Sequence, residues 1–592
     1  MKRTAVYCAT FVVTTIAFAD VTITGTIIDG AKGTPVAGAL VTLQATSIRT
    51  TTNKAGIYSL TIPGDYGSII VGAGKGYFNS PTTFTGTPTG LNITLEPVPQ
   101  EDNPYYSLLD PNSCGQCHPN QVWDWEGSPM NNAGINTWVH DIYAGNGSPG
   151  GMGGFVYLRD SVWAKSNPAS ECSSCHQPES WIPEPFTPLE GPDDPGYPSE
   201  HATHGISCDV CHKVANVDVN KINYPGIYPG AVTFTKPHYE QVQYGLLGDA
   251  TYHNQMMGPS YQPQLAAEVC GTCHQDKNDL HEDGLFDGII SEPTYIEWLE
   301  SPYGDPNSNI YASCLDCHML PNDATNSCEV LYPPLNREPG TLRSHMILGT
   351  TAIYLDNSAE LLVGAEVVNG EVHVEVDVFN SGVGHHLPTG VTVRNCILLV
   401  EAFDDEGNAL EFTGDQVVHA LGGVGDPAEG YYADQPGKIF AKCNHGKDGT
   451  GPTFFTDATG IIFDTRIPAM SIDSTDYSFA LPLGGGDVSV KARLIYRRAF
   501  RAFVDAKQWT TDGHGNPLED IESPHYGHLM ELEELIVEGA IAGDITGDGL
   551  VNVSDILLLI SNWGTDGPGA DLAAPFDVIN VSDLLFIIDS WG

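Results

Sequence analysis

The chain has 592 residues, enough for several domains, and its 25 basic and 74 acidic residues give a formal net charge of −49. Such an excess of acid argues against binding to nucleic acids or anionic membranes, because both carry negative charge themselves. The acidic residues are spread along the chain, which is typical of a protein kept soluble by its charge; the alternative is that they select basic redox partners or divalent cations.

The first segment, residues 1–19, is predicted to be a secretory signal. Lys2 and Arg3 precede a mostly apolar run that ends in an A-x-A cleavage site before Asp20. The run is too short to span a membrane, and no later run approaches the ~20 apolar residues that a span needs. The mature protein is therefore expected to be soluble and exported, to the periplasm, the cell surface or the extracellular space, with no membrane span.

Residues 20–98 are predicted to form a small β-sandwich, since apolar and polar residues alternate in short runs that turn signals separate. Three motifs follow one another here: Gly25-x-Ile27, Pro35-Val36-x-Gly38-Ala39-x-Val41-x-Leu43 and Gly56-x-Tyr58-x-Leu60. They resemble the carboxypeptidase regulatory-like (transthyretin-like) domain. The resemblance implies a spacer or adhesive module with no chemistry of its own.

Residues 104–348 contain five copies of Cys-x-x-Cys-His. Two thiols one helical turn apart can add to the two vinyl groups of a c-type haem, and the next histidine can ligate its iron. Structural zinc also uses Cys-x-x-Cys pairs, but it does not require a histidine after every second cysteine. The sequence therefore predicts five haems c, bound by Cys114, Cys117 and His118; Cys172, Cys175 and His176; Cys208, Cys211 and His212; Cys270, Cys273 and His274; and Cys314, Cys317 and His318.

With so little chain for each haem, this domain is predicted to be mainly α-helical and irregular, with the haems forming much of its core. A haem that carries electrons without binding substrate needs a second axial ligand. Within the segment, the candidates for that ligand are His140, His201, His204, His253, His345 and Met130.

Several motifs resemble multihaem c-type cytochromes, the family of the soluble tetrahaem carriers of hydroxylamine oxidation. They include Gly205-Ile206-x-Cys208-Asp209-x-Cys211-His212 and Cys314-x-Asp316-Cys317-His318-Met319. In this family a Trp-x-x-Ser-x-His element often supplies an axial histidine, and the matching element here ends in Met130. A later element, Asn380 to Gly390, resembles one from which a histidine returns to the haem domain, which implies His386 as a further distal ligand.

From residue 350 to 537 the pattern alternates with period two, most strictly over residues 371–379, and predicts an immunoglobulin-like β-sandwich. Besides Cys8 in the signal and the ten haem-motif cysteines, the chain has Cys328, Cys396 and Cys443. We expect a Cys396–Cys443 disulfide, because both lie in this domain and export permits disulfides. Cys328 is then left over.

Residues 541–592 contain a duplicated Asn-Val-Ser-Asp motif that begins at Asn552 and again at Asn580, each copy leading into an apolar helix. The loop before the first helix spaces oxygen ligands as an EF-hand does, which predicts a Ca²⁺ site from Asp544, Thr546, Asp548, Leu550, Asn552 and Asp555. With its duplication and an aspartate at position 12, the segment resembles a dockerin, a small α-helical module. That resemblance implies anchoring to a cohesin-type scaffold. Pro575 and Phe576 replace the usual Asp-Gly in the second copy, which we expect to be weak or empty.

These patterns together predict an exported pentahaem cytochrome that transfers electrons between extracytoplasmic redox proteins and is anchored through its C-terminal module. No residue is predicted to be catalytic. The chain has no Cys-x-x-Cys-Lys and so departs from the pentahaem nitrite reductases, whose catalytic haem is lysine-ligated. Two alternatives stay open, a multihaem oxidoreductase with one open iron acting on a small molecule, and a structural surface protein or conductive filament subunit.

Overall fold

A computed structural model describes residues 20–591, with the exception of 65–67, 87, 238–240, 252–256, 282, 331–334, 369–370, 482–484, 519–525, 542, 566–569 and 574–577. The predicted signal, the candidate ligand His253, and Pro575 with Phe576 lie outside the described residues. Within the described ranges, no helix combines the length and the apolar character that crossing a membrane requires.

The N-terminal part forms two facing sheets. Their strands are β1 Val21–Asp29, β2 Leu40–Leu43, β3 Arg49–Thr51, β4 Ile57–Ile62, β5 Ile69–Ala73, β6 Ser80–Thr83 and β7 Ile93–Leu95. The strand orders are β4-β1-β7 and β3-β2-β5-β6. Every second side chain of β4 is buried, as the two-residue period of a strand dictates, and the buried ones pack with those of β1 between the sheets.

This N-terminal sandwich is packed directly onto the haem-motif segment. The Asn79 side-chain amide donates to the Leu247 carbonyl at 3.1 Å. Asp249 accepts from the Ala45 N–H at 2.6 Å and pairs with the Arg337 guanidinium at 2.9 Å. Because Asp249 and Arg337 are both almost fully buried, loss of one partner would leave an uncompensated charge in the interface. The sandwich is therefore fixed to its neighbour.

The haem-motif segment consists of short helices, small two-stranded ladders and long loops. Its α-helices are α1 Pro111–Gly115, α2 Pro119–Glu126, α3 Thr137–Tyr143, α4 Tyr157–Asp160, α5 Cys172–His176, α6 Pro178–Trp181, α7 Glu200–His204, α8 Cys208–His212, α9 Glu268–Cys273, α10 Thr294–Leu299 and α11 Cys314–His318. The ladders pair β8 Val214–Val217 with β9 Val232–Phe234, β10 Val242–Gly245 with β11 Gly258–Tyr261, β12 Asp276–Lys277 with β13 Ile290–Glu292, and β14 Pro321–Asn322 with β15 Leu342–Arg343. Helices this short require tertiary packing for their stability.

A second, larger sandwich follows. Its elements are α12 Ala352–Leu355, β16 Glu360–Val368, β17 Glu371–Phe379, β18 Asn395–Phe403, β19 Gly437–His445, β20 Gly460–Asp464, β21 Ile472–Ala480, β22 Gly485–Arg497, α13 Arg501–Lys507 and β23 His528–Ile541. The sheets have the strand orders β16-β17-β21 and β20-β19-β18-β22-β23. The valines of β17 alternate inward and meet the apolar face of β18, which forms the main core.

The predicted Cys396–Cys443 disulfide is wrong, because the two side chains lie on opposite faces of one sheet. Cys396 stands opposite Phe440 in the antiparallel register of β18 and β19, and both face the core between the sheets. Cys443 is three positions further along β19, and an odd offset turns a side chain to the other face. The Cys396 thiol instead contacts the Met530 sulfur at 3.9 Å.

The second sandwich is also joined to the haem-motif segment. Trp138 of α3 stacks on Trp509, with ring centroids 3.9 Å apart and an interplanar angle of 6°. The Trp509 indole N–H donates to the buried Asp141 carboxylate at 2.6 Å, and the Lys507 ammonium donates to the Asp141 carbonyl at 2.7 Å. These polar groups are satisfied across the interface, which holds the segment and the sandwich in one arrangement.

The C-terminal segment folds as two helices, α14 Val553–Ser561 and α15 Val581–Asp589. Each begins with the same capping box, Asn552 with Asp555 and Asn580 with Asp583. Ile545, Leu559 and Ile587 are buried in a small core of their own.

Gly547, in the loop before α14, touches the second sandwich. Its φ is +73°, and a Cβ at this position would lie 2.2 Å from the Val367 carbonyl oxygen. Both facts require glycine there.

Candidate haem-binding site

Each Cys-x-x-Cys-His motif lies on or beside a short helical turn. Helices α5, α8 and α11 span their motifs from the first cysteine to the histidine, whereas α9 ends at Cys273 and α1 at Gly115. Residues i, i+3 and i+4 of a helix share a face, so both thiols and the imidazole of a motif point to one side. All ten motif cysteines are free thiols, the state that thioether formation requires. In the described residues, no three His, Cys, Asp or Glu side chains converge into a group that could hold a metal ion directly.

Three of the motif histidines are oriented by a backbone carbonyl. A carbonyl only accepts, so each Nδ1 must carry the proton, which leaves the Nε2 lone pair free to bind iron. The pairs are His118 Nδ1 with Ser327 O at 2.5 Å, His212 Nδ1 with Tyr244 O at 2.5 Å, and His318 Nδ1 with Leu348 O at 2.6 Å.

The other two motif histidines have different surroundings. Burial lowers the pKa of His176 to about 4, so the ring is neutral at physiological pH, the form that ligates metals. Its Nδ1 is buried and has no hydrogen-bond partner among the described residues. The His274 side chain is 49% exposed, and its Nδ1 lies 3.8 Å from a Glu292 carboxylate oxygen.

Thiols of different motifs lie side by side, and these contacts order the motifs in space. The Cys114 thiol interacts with that of Cys208, which joins the first and third motifs. Similar interactions join Cys175 with Cys273 and Cys270 with Cys314. The Cys211 thiol lies near Cys270 and Cys273, which brings the third motif to the fourth. The fourth motif thus has three neighbours, the second, third and fifth, and the first is reached through the third.

His345 stands opposite the histidine of the third motif. Its ring centroid lies 6.4 Å from that of His212, and the two rings are within 19° of parallel. Two imidazole nitrogens, each about 2 Å from one metal ion, put their ring centres roughly 6 Å apart. Burial, and then the nearby His212 ring, lower the pKa of His345 to about 4, so its imidazole is neutral. The spacing, the ring orientation and the protonation state fit two axial ligands of one iron.

In the loop between β17 and β18, the geometry favours His385 over its predicted neighbour His386. The His386 backbone N–H donates to Glu297 at 3.2 Å, and a Glu297 oxygen lies 3.6 Å from the His386 Nδ1, which has no hydrogen-bond partner among the described residues. The His385 Nδ1–H donates to the His386 carbonyl at 3.0 Å, which leaves Nε2 free. Burial lowers the pKa of His385 to about 4, and the His318 ring lies close enough to contribute to that shift.

Sequence reasoning missed His385 because two adjacent histidines cannot be distinguished without their partners. The sequence held no signal that separates them, because both rings approach the haem-motif segment, His385 near His318 and His386 near Glu297.

The remaining candidates for a distal haem ligand differ in their exposure and in the partners of their ring nitrogens. His201 and His204 both place Nδ1 about 3 Å from one Glu179 oxygen, at 2.9 and 3.0 Å. His204 is 15% exposed, and its Nε2 faces Asp110 at 3.9 Å, beside the first motif; His201 is 56% exposed. His140 is 1% exposed, and its Nε2 is paired with the Tyr197 hydroxyl at 3.1 Å. Its Nδ1 is buried with no hydrogen-bond partner among the described residues, and the ring lies close enough to His176 to help lower the pKa of that histidine.

Met130 is half-buried at the start of a 3-10 turn, Asn131–Ile135, beside the third motif. Its carbonyl accepts from the Ile206 N–H at 3.0 Å, two residues before Cys208. The backbone at Met130 is thereby tied to the entry of this motif.

The C-terminal loop arranges its oxygen atoms around buried carboxylates. Asp544 accepts from the N–H groups of Gly547 at 2.8 Å and Gly549 at 2.6 Å. The Thr546 hydroxyl donates to Asp555 at 2.9 Å and lies 3.2 Å from Asp544, so the two buried carboxylates face the same side of the loop.

Of the other predicted loop ligands, Asp548 and Leu550 are exposed and Asn552 is half-buried. The Asn552 side-chain amide donates to Asp548 at 3.2 Å and to the Leu550 carbonyl at 3.2 Å. Asp544, Asp548 and Asp555 do not converge into a ready-made trio in this conformation. The residue types suit Ca²⁺, and binding would require the exposed half of the loop to close.

No family model matches the chain. No curated protein matches it significantly. Among solved structures, the chain is similar to a penta-heme cytochrome c552 from Thermochromatium tepidum, with a TM-score of 0.46 and 16% sequence identity; the similarity covers 72% of this chain and 99% of the other. A likeness at this level does not decide function.

Proposed function

We propose that this chain is an exported pentahaem c-type cytochrome that transfers electrons between extracytoplasmic redox partners. One observation carries the proposal: five short turns each carry two thiols and a histidine at the spacing of haem attachment, and thiols of different motifs adjoin, those of the first and third motifs among them. When bound, each haem supplies an iron that gains or loses one electron. The residues of the chain hold the haems covalently, supply axial nitrogen ligands and fix neighbouring sites close together.

An electron carrier is favoured over an enzyme because distal imidazoles are available where they would block substrate. His345 faces His212, and His385 lies near His318, so the third and fifth sites have a second nitrogen ligand at hand. An iron with both axial positions filled cannot bind a small molecule without losing a ligand.

The mature protein is expected to carry five covalent haems. Each complete motif supplies two thiols, and thioether bonds survive denaturation. Mass spectrometry of the denatured protein, expressed with a c-haem maturation system, should show the chain plus five haems. A chain with bound zinc, or with fewer than four haems, would contradict the proposal, and a high-spin iron in the wild-type protein would favour the enzyme alternative.

We further propose that the C-terminal module binds Ca²⁺ and anchors the protein to a cohesin-type scaffold. Its two helices leave matching apolar side chains exposed, with identical spacing in the two copies: Leu550, Val553, Leu557, Ile560 and Trp563 correspond to Val578, Val581, Leu585, Ile588 and Trp591. Exposed apolar surface of this kind is typical of a protein-binding site. These two matching sets of exposed apolar side chains support docking to a partner protein. The buried carboxylates of the loop before α14 support Ca²⁺ as the ion that orders this loop.

The substitution Asp548→Ala is expected to abolish high-affinity Ca²⁺ binding. Asp548 is exposed and contacts only its own loop, so its loss removes a ligand with little effect on the folded module. Ca²⁺ bound to the folded state stabilises it by mass action, so the stabilisation should be lost as well. Calorimetry on the full chain measures both effects. Asp589→Ala, at the end of α15 outside the loops, is the matched control; equal Ca²⁺ affinity in the two variants would exclude this site.

A further inference from the structure

Cys328, the cysteine that the haem motifs leave over, lies against the first motif. The Glu329 N–H donates to the Cys117 carbonyl at 2.9 Å, and the Ser327 carbonyl accepts from the His118 ring at 2.5 Å. These two contacts flank Cys328 and hold it beside Cys117, and the two thiols interact. Cys328 is 5% exposed, so its thiol is directed into the protein.

This arrangement gives Cys117 two thiol neighbours. Cys114 is one helical turn away within the motif, and Cys328 approaches from a loop more than two hundred residues later in the chain. A disulfide requires Cα atoms within about 7 Å of each other, and the flanking backbone contacts hold Cys117 and Cys328 side by side. The other two cysteines outside the motifs, Cys396 and Cys443, belong to the second sandwich. Among the described residues, the first haem site is therefore the one beside which a cysteine from outside the motifs lies.

We propose that Cys117 and Cys328 form a disulfide before the first haem is attached, so that attachment at this site depends on reduction. Each thiol loses one proton and one electron, an S–S bond forms, and a disulfide oxidant of the export compartment is reduced to its dithiol. A dithiol reductant reverses the reaction by exchange and returns Cys117 as the thiol that adds to the haem vinyl group. The inference rests on the proposed haem attachment, since it assigns a control step to one of those sites.

The disulfide is tested on the full chain, exported in cells that lack the c-haem maturation system. The probe is peptide mapping by mass spectrometry after alkylation and digestion without reductant. We expect a linked peptide that joins Cys117 to Cys328, and we expect Cys328→Ser to lose it. Cys396→Ser, which removes another buried thiol remote from the motifs, should keep it. An alkylated Cys328 in the wild-type chain, with Cys117 free or joined to Cys114, would overturn the proposal.

A second measurement links the disulfide to maturation. With the maturation system present but reductant limiting, Cys328→Ser should raise the fraction of chains with haem on the Cys114–His118 peptide, and Cys396→Ser should not. An equal fraction in the two variants would show that the disulfide does not gate attachment. The two experiments test the haem assignment and the disulfide separately. Absence of haem from this peptide in fully matured wild-type protein would refute haem attachment at the first site. The disulfide is judged from the linked peptide, which is sought in protein that carries no haem.

Discussion

Replacing His345 with alanine is expected to convert one of the five haem irons from six-coordinate low-spin to five-coordinate high-spin. The ring of His345 faces that of His212 at 6.4 Å and within 19° of parallel, so its loss removes a second axial nitrogen from the third site. The backbone of His345 is held separately, through its N–H to Asp124 at 2.9 Å, and that contact survives the substitution. The reduced variant should therefore bind carbon monoxide at one iron per chain.

The measurement is electron paramagnetic resonance of the oxidised protein together with carbon monoxide titration of the reduced protein. His201→Ala is a suitable control, because this ring lies in the same segment but is 56% exposed and contacts Glu179. An unchanged spectrum in His345→Ala would remove this ligand assignment. A high-spin signal in His201→Ala would show that the two histidines have been assigned the wrong way round.

The second large effect is expected from His385→Ala, which should open the fifth haem iron, whereas His386→Ala should leave the spectrum unchanged. The two residues are adjacent and chemically identical, so the pair controls for charge and size. His385 donates through Nδ1 to the His386 carbonyl and lies near His318, whereas the His386 ring turns its Nδ1 toward Glu297, at 3.6 Å. The carbonyl that orients His385 belongs to the backbone, so it persists in His386→Ala.

Spin state and carbon monoxide stoichiometry are again the readouts, and denaturant unfolding of both variants excludes a general loss of structure. A high-spin signal from His386→Ala alone would restore the sequence-based assignment. If neither variant changes the spectrum, the second sandwich supplies no axial ligand. The expected result would make this sandwich part of the redox unit, because its loop would complete the fifth site.

The haem attachment residues could be predicted from the sequence because their chemistry is local. Two thiols and a histidine within five residues occupy one face of a single helical turn, whatever the rest of the fold does. The strict alternation of β17 likewise reflects a local period, and the valines of this strand are buried between the two sheets. The capping boxes at Asn552 and Asn580 are also local, since each is formed within four residues.

The disulfide prediction shows where local information ends. Shared membership of a β domain suggested Cys396 with Cys443, but the register of β18 and β19 puts the two thiols on opposite faces. The register is the alignment of two strands that are distant in sequence, and it cannot be read from either strand alone. The same limit applied to His385 and His386, whose roles differ only through Glu297 and His318, residues distant in sequence.

The sequence by itself determined that the chain has five Cys-x-x-Cys-His motifs and which cysteines and histidines form them, and it predicts the haem chemistry that such motifs support. Those properties follow from covalent geometry over five residues. Only the tertiary structure decided which thiols of different motifs adjoin, that the fourth motif contacts three others, that His345 faces His212, and that Cys328 lies beside Cys117. Each of these is a contact between segments that are far apart in the chain. Which segments meet depends on the packing free energy of the whole fold, so the spatial distance between two such residues cannot be inferred from their separation in sequence.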